Sequence, residues 1–229
     1  MNSIIISDEN KEIVSAVKNL GYNTVFSENI NELLPFERKH ADLQCLKIND
    51  VFFVLKNCKT IIQNLKMLGK NVIETESDIN GKYPYNVVLN AAYIGNKLFC
   101  KENSLDNTVK NYCIENNIEI INVNQGYTKC STAIFSDYFI TADKGIFKAM
   151  SENGVEGLLI NSGEITLPGT DYGFIGGCSF YHNNTAYFTG DINKHTDGKR
   201  IISFLESKKI KTENLNNGKL YDIGGFIVL

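Results

Sequence analysis

Apolar and polar positions along the chain repeat one order: strand, short turn, strand, amphipathic helix, strand. The clearest copy reads HADLQCLKIND, VFFVLKN, CKTIIQNLKMLGK and NVIET. In its helical part, one stripe at the 3.6-residue spacing of an α-helix holds Ile61, Ile62, Leu65 and Leu68. Gly69 then follows, as is typical of a left-handed helix cap. This pattern predicts a ββαβ unit.

Three further copies follow, and the two ends of the chain supply parts of a fifth. The copies begin at NVVLNAAYIGN, YTKCSTAIFSD and FIGGCSFYHNN, and the last strand lies in YDIGGFIVL. The spacing is 46, 41 and 48 residues if the equivalent second-strand positions are Phe53, Phe99, Ile140 and Phe188. About 46 more residues lead through the termini to Ile5. We therefore predict an α/β fold that forms one domain over residues 1–229. Its ββαβ units are arranged as a fivefold α/β-propeller, and the N- and C-terminal strands close the fifth unit.

A doubly wound parallel sheet is the alternative, because it also alternates strands with helices. Two observations favour the closed fivefold propeller instead. Each copy contains two strands in succession before its helix, and no GxGxxG fingerprint follows a strand.

The composition of the chain limits the kinds of partner that it is expected to bind. The chain has 229 residues, a net charge of -3 and only two arginines, Arg38 and Arg200, so a basic face for nucleic acid or anionic membrane is not expected. No apolar run is long enough to span a membrane, and the N-terminus lacks the basic leader of a signal peptide. Six cysteines without a CxxC pair indicate reduced thiols. We expect a cytoplasmic protein with a small-molecule partner.

In a closed ring, the starts of the five first strands meet at the axis, and candidate chemistry collects there. His40 and Asp42 begin the strand of the first copy. The later copies contribute Asn90, then Cys130, then Gly176, Gly177 and Cys178, and finally Asp222, Gly224 and Gly225.

His40 and Asp42 are two residues apart, so on a strand their side chains would leave the same face. An imidazole, a carboxylate and the Cys130 thiol are the components of nucleophilic catalysis with a general acid and base. Cys178 is the rival thiol. Each residue also has an interpretation without catalysis. Cys130 would be a buried core thiol, His40 an inert histidine at the rim, and Asp42 a carboxylate at the end of a strand.

Two segments resemble the guanidino-group modifying enzymes, or penteins, which consist of five ββαβ units. KHADLQCLKINDVFFVLK is similar to the catalytic-histidine strands of the dimethylarginine dimethylaminohydrolases, and QGYTKCSTAIF is similar to their nucleophile strand. The spacing His40-x-Asp42 also resembles the HxD of arginine and agmatine deiminases. The resemblance implies a hydrolase that acts on a guanidinium or amidinium small molecule through a covalent thiouronium intermediate. Cys130 would be the nucleophile, His40 the acid and base, and Asp42 the guanidinium ligand.

The sequence departs from the pentein pattern at two places. Gly176 and Gly177 stand where acids that bind the guanidinium are expected, and Phe226 stands where an aspartate would orient the histidine. The remaining candidates for substrate binding are Asn90, Asp171 and Asp222. The resemblance implies no cofactor. No metal is predicted either, because the spacing of the other histidines fits no regular site.

The loss of these acids favours a second class of function, a non-catalytic pentein that binds a partner, like the ribosomal anti-association factor of archaea and eukaryotes. A small-ligand sensor lies between the two classes. An enzyme would place the Cys130 sulfur within about 4 to 6 Å of His40 across a polar pocket. An axis filled with apolar side chains would instead indicate a binding module.

Overall fold

The computed structural model describes residues 2–229 and contains five three-stranded sheets in that range. Four units follow one another along the chain, and each has two strands, a helix and a third strand. The first and second units consist of β3 (Cys45–Ile48), β4 (Val51–Val54), α3 (Lys59–Met67) and β5 (Asn71–Glu74), and of β6 (Ala92–Ile94), β7 (Lys97–Cys100), α4 (Asn107–Glu115) and β8 (Glu119–Asn122). The third and fourth consist of β9 (Thr132–Phe135), β10 (Tyr138–Thr141), α5 (Lys144–Glu152) and β11 (Glu156–Leu159), and of β12 (Ser179–His182), β13 (Thr185–Phe188), α6 (Gly198–Ser207) and β14 (Lys211–Asn214).

The fifth unit is assembled from both ends of the chain. Its elements are β15 (Ile227–Val228), β1 (Ser3–Ile6), α1 (Lys11–Asn19) and β2 (Asn23–Phe26). β15 pairs with β1 in antiparallel orientation, with Ile4 opposite Val228, and β1 pairs with β2 in parallel. The predicted closure of the fifth unit by the N- and C-terminal strands is therefore confirmed.

All five sheets share one topology, with the first strand antiparallel to the second and the second parallel to the third. Two-residue turns join the first and second strands of the four continuous units. Their residues with positive φ are Asn49, Gly95 and Asn96, Ser136, and Asn183 and Asn184. Such turns match the right-handed twist of the strands and fix the register. Counted from these turns, Tyr187 is the equivalent of Phe53, one residue before the predicted Phe188.

The helices bury one face against the sheets, as their periodicity predicts. In α3, Ile61, Ile62 and Leu65 are buried, but Leu68 is 46% exposed because the helix has already ended at Met67. None of the helices within residues 2–229 is long and apolar enough to cross a membrane.

The first strands of the units surround a common axis. β12 contacts β9 and β15, β15 contacts β3, and β9 contacts β6. Residues from all five first strands, or from just before them, line a cavity of about 300 Å³. Asp42 and Lys129 lie in this lining, so the cavity reaches the segments that carry the candidate chemistry.

Candidate active site

The segment that carries His40 and Asp42 differs from the sequence prediction. A short helix, α2 (Ala41–Gln44), takes the place of the first residues of the predicted strand, and His40 precedes it. The backbone N–H of Asp42 donates to the carbonyl of Gly224 at 2.9 Å. This bond from the fifth unit holds the start of the helix, so the two side chains approach each other through a turn and not across a strand face.

The structure brings His40, Asp42 and Cys130 together. A ring nitrogen of His40, a carboxylate oxygen of Asp42 and the Cys130 Sγ lie within 4.8 Å of one another. The three residues are 4%, 1% and 2% exposed. A base, a carboxylate and a thiol thus share one buried point. Of the three, Asp42 alone lines the axial cavity, so the short distance is present without an open polar pocket between His40 and Cys130.

Several polar atoms at this point have no partner. Among residues 2–229, no N–H or O–H group donates to either carboxylate oxygen of Asp42, whose neighbouring side-chain donor is the Cys130 thiol, and Nε2 of His40 has no partner; all three atoms are buried. A buried acceptor without a donor costs about 1 to 3 kcal/mol, more if it is charged. The site is therefore short of hydrogen-bond donors, and a cationic donor would complete it.

Asn90 holds the Cys130 segment in place. Its Oδ1 accepts hydrogen bonds from the backbone N–H of Lys129 at 2.8 Å and of Cys130 at 3.2 Å. Its Nδ2 donates to the Asp42 carbonyl and to the Cys130 Sγ, both at 3.1 Å. Because these bonds occupy the amide, we propose that Asn90 acts on Cys130 and does not contact substrate.

Burial and negative charge set the protonation of the site. Burial, opposed by His40 and Lys129, raises the pKa of Asp42 to about 6. Burial, together with the carboxylates of Asp42 and Asp222, raises the pKa of the Cys130 thiol well above its usual range. The thiol is therefore protonated at neutral pH until a cation offsets the two carboxylates.

Asp222 belongs to the framework of this site. It is 1% exposed, and its two carboxylate oxygens accept hydrogen bonds from the backbone N–H groups of Phe174 at 2.8 Å and Gly224 at 2.9 Å. The bond from Phe174 connects the fourth and fifth units, and the bond from Gly224 closes a turn within the fifth. The negative charge of the Asp222 carboxylate also raises the pKa of the Cys130 thiol.

Lack of space for a side chain explains why glycines stand at the two positions where acids were expected. A Cβ at Gly177 would overlap the carboxylate of Asp222, and a Cβ at Gly176 would overlap the carbonyl of Lys129. The space beside Gly177 is thus already filled by a carboxylate from the fifth unit. The departure from the pentein pattern at Gly177 coincides with an acid supplied from another segment.

The profile of a family of unknown function, DUF6873, matches residues 5–227. The chain belongs to this family. No curated protein sequence matches the DUF6873 chain.

Solved structures similar to this DUF6873 protein are penteins. Dimethylarginine dimethylaminohydrolase from Pseudomonas aeruginosa, a cysteine-to-serine mutant complexed with citrulline, matches with a TM-score of 0.63 and 8% identity over 99% of this chain and 98% of that chain. A cysteine-to-serine form of C. jejuni agmatine deiminase with substrate bound matches with a TM-score of 0.56 and 10% identity over 99% and 92%. These matches show that the chain has the pentein fold.

The other predicted residues of the DUF6873 protein lie apart from the cluster. Asp171 is exposed on the loop before Gly176 and makes no hydrogen bond among the described residues. Cys178 is fully buried in the core, where its Sγ donates to the Ile175 carbonyl at 3.3 Å. Phe226 lines the axial cavity and packs on Phe180 with ring centroids 4.7 Å apart.

The cluster could also hold a metal ion. Within the described part of the chain, His40, Asp42 and Cys130 form the one group of three His, Cys or acidic side chains with converging ligand atoms. Imidazole nitrogen, thiolate sulfur and carboxylate oxygen are all ligands that zinc accepts. That the DUF6873 protein works without a metal stays a prediction.

Sequence reasoning missed a second group of polar residues near the cluster, namely the buried Glu37 and Asn86 and the half-buried Tyr127. They stand three or four positions before His40, Asn90 and Cys130 in turn. This similar offset is the one signal that could have revealed the group. The predicted ring already brings the three segments to the axis, but it does not show which of their side chains meet.

Proposed function

We propose that the protein is a cysteine-dependent hydrolase of a guanidinium or amidinium small molecule, acting through a covalent thiouronium intermediate. The observation that carries this proposal is the buried group of His40, Asp42 and Cys130 within 4.8 Å, with no N–H or O–H donor on either Asp42 oxygen. A guanidinium offers planar cationic N–H donors to a carboxylate, which are the groups the site lacks.

The similar structures support the same class of reaction, because citrulline carries the ureido group that hydrolysis of a guanidinium releases. One is a dimethylarginine dimethylaminohydrolase complexed with citrulline, and another is an agmatine deiminase with its substrate bound. Both proteins were studied as cysteine-to-serine mutants. By analogy with these proteins, we assign the nucleophile to Cys130.

Binding comes first in the proposed reaction. The guanidinium donates hydrogen bonds to the Asp42 carboxylate, and its charge offsets the carboxylates that raise the pKa of Cys130. The thiol then transfers its proton to the imidazole of His40. Formation of the nucleophile thus depends on the bound cation, because the empty site favours the neutral thiol.

Two displacement steps follow. The Cys130 sulfur attacks the central guanidinium carbon, the bond from that carbon to the leaving nitrogen breaks, and His40 gives its proton to the departing amine. His40 next takes a proton from water, whose oxygen attacks the thiouronium carbon. The carbon–sulfur bond breaks as the new hydroxyl group loses its proton to solvent, the neutral ureido product leaves, and His40 returns its proton to the thiolate. No step needs a metal or an organic cofactor.

We further propose that residues 1–229 act as one pentein domain in the cytoplasm. All six cysteines are buried and unpaired within the described chain, which suits a reducing compartment. The ligand of the axis is a small molecule, since the cavity of about 300 Å³ is of small-ligand size.

The test is alkylation by 2-chloroacetamidine, compared with chloroacetamide, a neutral probe of nearly the same shape. We expect the amidine to label Cys130 with loss of chloride, at least about tenfold faster than the amide, because a charge-assisted hydrogen bond to Asp42 is worth more than about 1.4 kcal/mol. Peptide mapping by mass spectrometry locates the label. Asp42→Asn should remove the preference, whereas Cys178→Ser, the matched thiol control, should retain it.

Equal rates for the two probes, or a label on Cys178, would contradict the proposal. One observation favours the second candidate, a ligand sensor without catalysis: the raised pKa of Cys130 makes the thiol a poor nucleophile in the empty site. A sensor would bind guanidinium compounds to the folded protein without the amidine preference in labelling and without release of amine.

A further inference from the structure

The mouth of the axial cavity is formed by one equivalent residue from each of the five units. In every unit, the first-strand residue that pairs with the second residue of the second strand belongs to the cavity lining. These half-buried residues, which we call the axial ring, are Lys47, Tyr93, Ile134, Tyr181 and Val228. The exposed turn residue Ser136 also lines the cavity, so the cavity opens on the side of the strand turns.

The inner end of the cavity lies in the segments that precede the strands. Asp42, Leu89 and Lys129 line it there, each three residues before the first strand of its unit. His40 and Cys130 lie outside the lining. The cavity of about 300 Å³ therefore runs from the turn side to the Asp42 side of the reactive cluster.

Lys129 brings an ammonium group without a counterion to this inner end. Within residues 2–229, its Nζ takes part in no ion pair and donates no hydrogen bond. Its charge is close enough to Asp42 to oppose the rise in the pKa of that carboxyl. An ammonium group has three donors and no acceptor, so Lys129 can hold up to three acceptor atoms of a ligand.

Lys47 brings a second ammonium group to the mouth. Its Nζ donates to the Val228 carbonyl at 2.9 Å and lies 5.3 Å from the centroid of the Phe52 ring. Burial and the charge of Lys70 lower the pKa of Lys47, and Asp50 opposes them only in part. The group keeps unused donors, and an anion beside it would stabilise its charge.

Positive charge prevails in the lining, although the net charge of the chain is -3. The charged lining residues in the described chain are two lysines and Asp42. Most of the other walls are apolar or aromatic, and the rings of Phe180 and Phe226 lie 4.7 Å apart. The polar groups between them are engaged elsewhere, since the Ser179 hydroxyl donates to the Ile175 carbonyl at 2.8 Å.

These walls select the kind of anion. Two ammonium groups attract an oxyanion, whereas apolar walls penalise a strongly hydrated one such as phosphate, which needs more donors than the cavity offers. A singly charged carboxylate on an apolar body satisfies both conditions, because the carboxylate pairs with the lysines and the body covers the aromatic walls.

We infer that the axial cavity binds a small apolar carboxylic acid, whose carboxylate pairs with Lys129 and Lys47 and whose body packs on Phe180 and Phe226. The inference goes beyond the proposed function, because it assigns a second ligand to the axis and requires no reaction. The charge of Asp42 opposes this ligand, since like charges at the inner end repel each other.

The test compares benzoate with benzamide, a neutral probe of nearly the same shape, and with inorganic phosphate. Binding to the unsubstituted protein is measured by calorimetry. We expect benzoate to bind at least about tenfold more tightly than benzamide, the value of one charge-assisted hydrogen bond, and phosphate to bind more weakly than benzoate.

Substitutions locate the site. Lys129→Met and Lys47→Met should each weaken benzoate binding at least about tenfold. Lys148→Met removes an exposed ammonium group from α5 and should leave the affinity unchanged. Asp42→Asn should act in the opposite direction and tighten benzoate binding at least about threefold, because it removes the one negative charge of the lining.

The inference is overturned if benzoate does not bind, if benzamide binds equally well, or if phosphate binds more tightly. An equal loss in Lys148→Met would show attraction to the surface in general, and weaker binding by Asp42→Asn would place the anion elsewhere. The probes and Asp42→Asn decide the question even if a lysine variant does not fold. Amidine labelling of Cys130 tests the proposed function separately, so either proposal can fail alone.

Discussion

Replacement of Asn90 by alanine tests whether one buried amide organises the site. Asn90→Ala would leave three backbone groups without partners: the half-buried N–H of Lys129, the buried N–H of Cys130 and the buried carbonyl of Asp42. At about 1 to 3 kcal/mol for each unsatisfied group, the free energy of unfolding should fall by about 3 to 9 kcal/mol. This is a large part of the roughly 5 to 15 kcal/mol that stabilises a typical domain.

The assay is urea denaturation followed by circular dichroism, with Asn64→Ala as the matched control. Asn64 makes one exposed hydrogen bond, to the Thr60 carbonyl on α3, so its removal should change stability by less than about 0.5 kcal/mol. A loss below about 1 kcal/mol for Asn90→Ala would refute the reasoning, because it would mean that the three groups find other partners.

The same substitution has a second consequence, for the thiol. Asn90 Nδ2 donates to the Cys130 Sγ at 3.1 Å, and this bond opposes the rise in the pKa of Cys130. Its loss should slow 2-chloroacetamidine labelling by about tenfold to a hundredfold, and the labelling rate should rise only at higher pH. A pH profile unchanged in folded Asn90→Ala would show that the amide has only a structural role.

Three further predictions concern the charge, packing and metal content of the site. Because burial raises the pKa of Asp42 to about 6, the native state binds the proton more tightly than the unfolded chain, and stability should fall by about 3 kcal/mol as pH rises from about 4 to 7. Asp42→Asn should remove this part of the decline in urea titrations; an equally steep decline in the variant would argue against it. Gly177→Ala, which forces a Cβ into the Asp222 carboxylate, should cost at least about 1 to 3 kcal/mol in the same assay, and a neutral result would contradict the close packing. Dialysis against EDTA should leave amidine labelling of Cys130 within about twofold, whereas a change in labelling that added zinc reverses would show a metal in the site.

The local pattern of apolar and polar residues was sufficient to predict the repeating units, because a two-residue turn closes each strand pair of the continuous units and each helix buries one stripe of apolar side chains. Those features depend on residues close in sequence, such as Asn49 at its turn and Ile61, Ile62 and Leu65 on their helix face. The predicted pairing of the terminal strands also follows from counting units. The strand predicted at His40 and Asp42 was wrong, because a hydrogen bond from Asp42 to Gly224, far away in the chain, stabilises a helical turn there.

By itself, the sequence determined the five ββαβ units, the closure of the fifth by both termini, and the choice of His40, Asp42 and Cys130 as the residues to examine. Only the tertiary structure decided what surrounds them. Asn90 donates a hydrogen bond to Cys130, Asp222 fills the space beside Gly177, and Glu37 lies buried beside Asn86, all through contacts between different units. The physical reason is that hydrophobic periodicity depends on neighbouring residues, whereas burial, hydrogen-bond partners and pKa values depend on which segments meet at the axis.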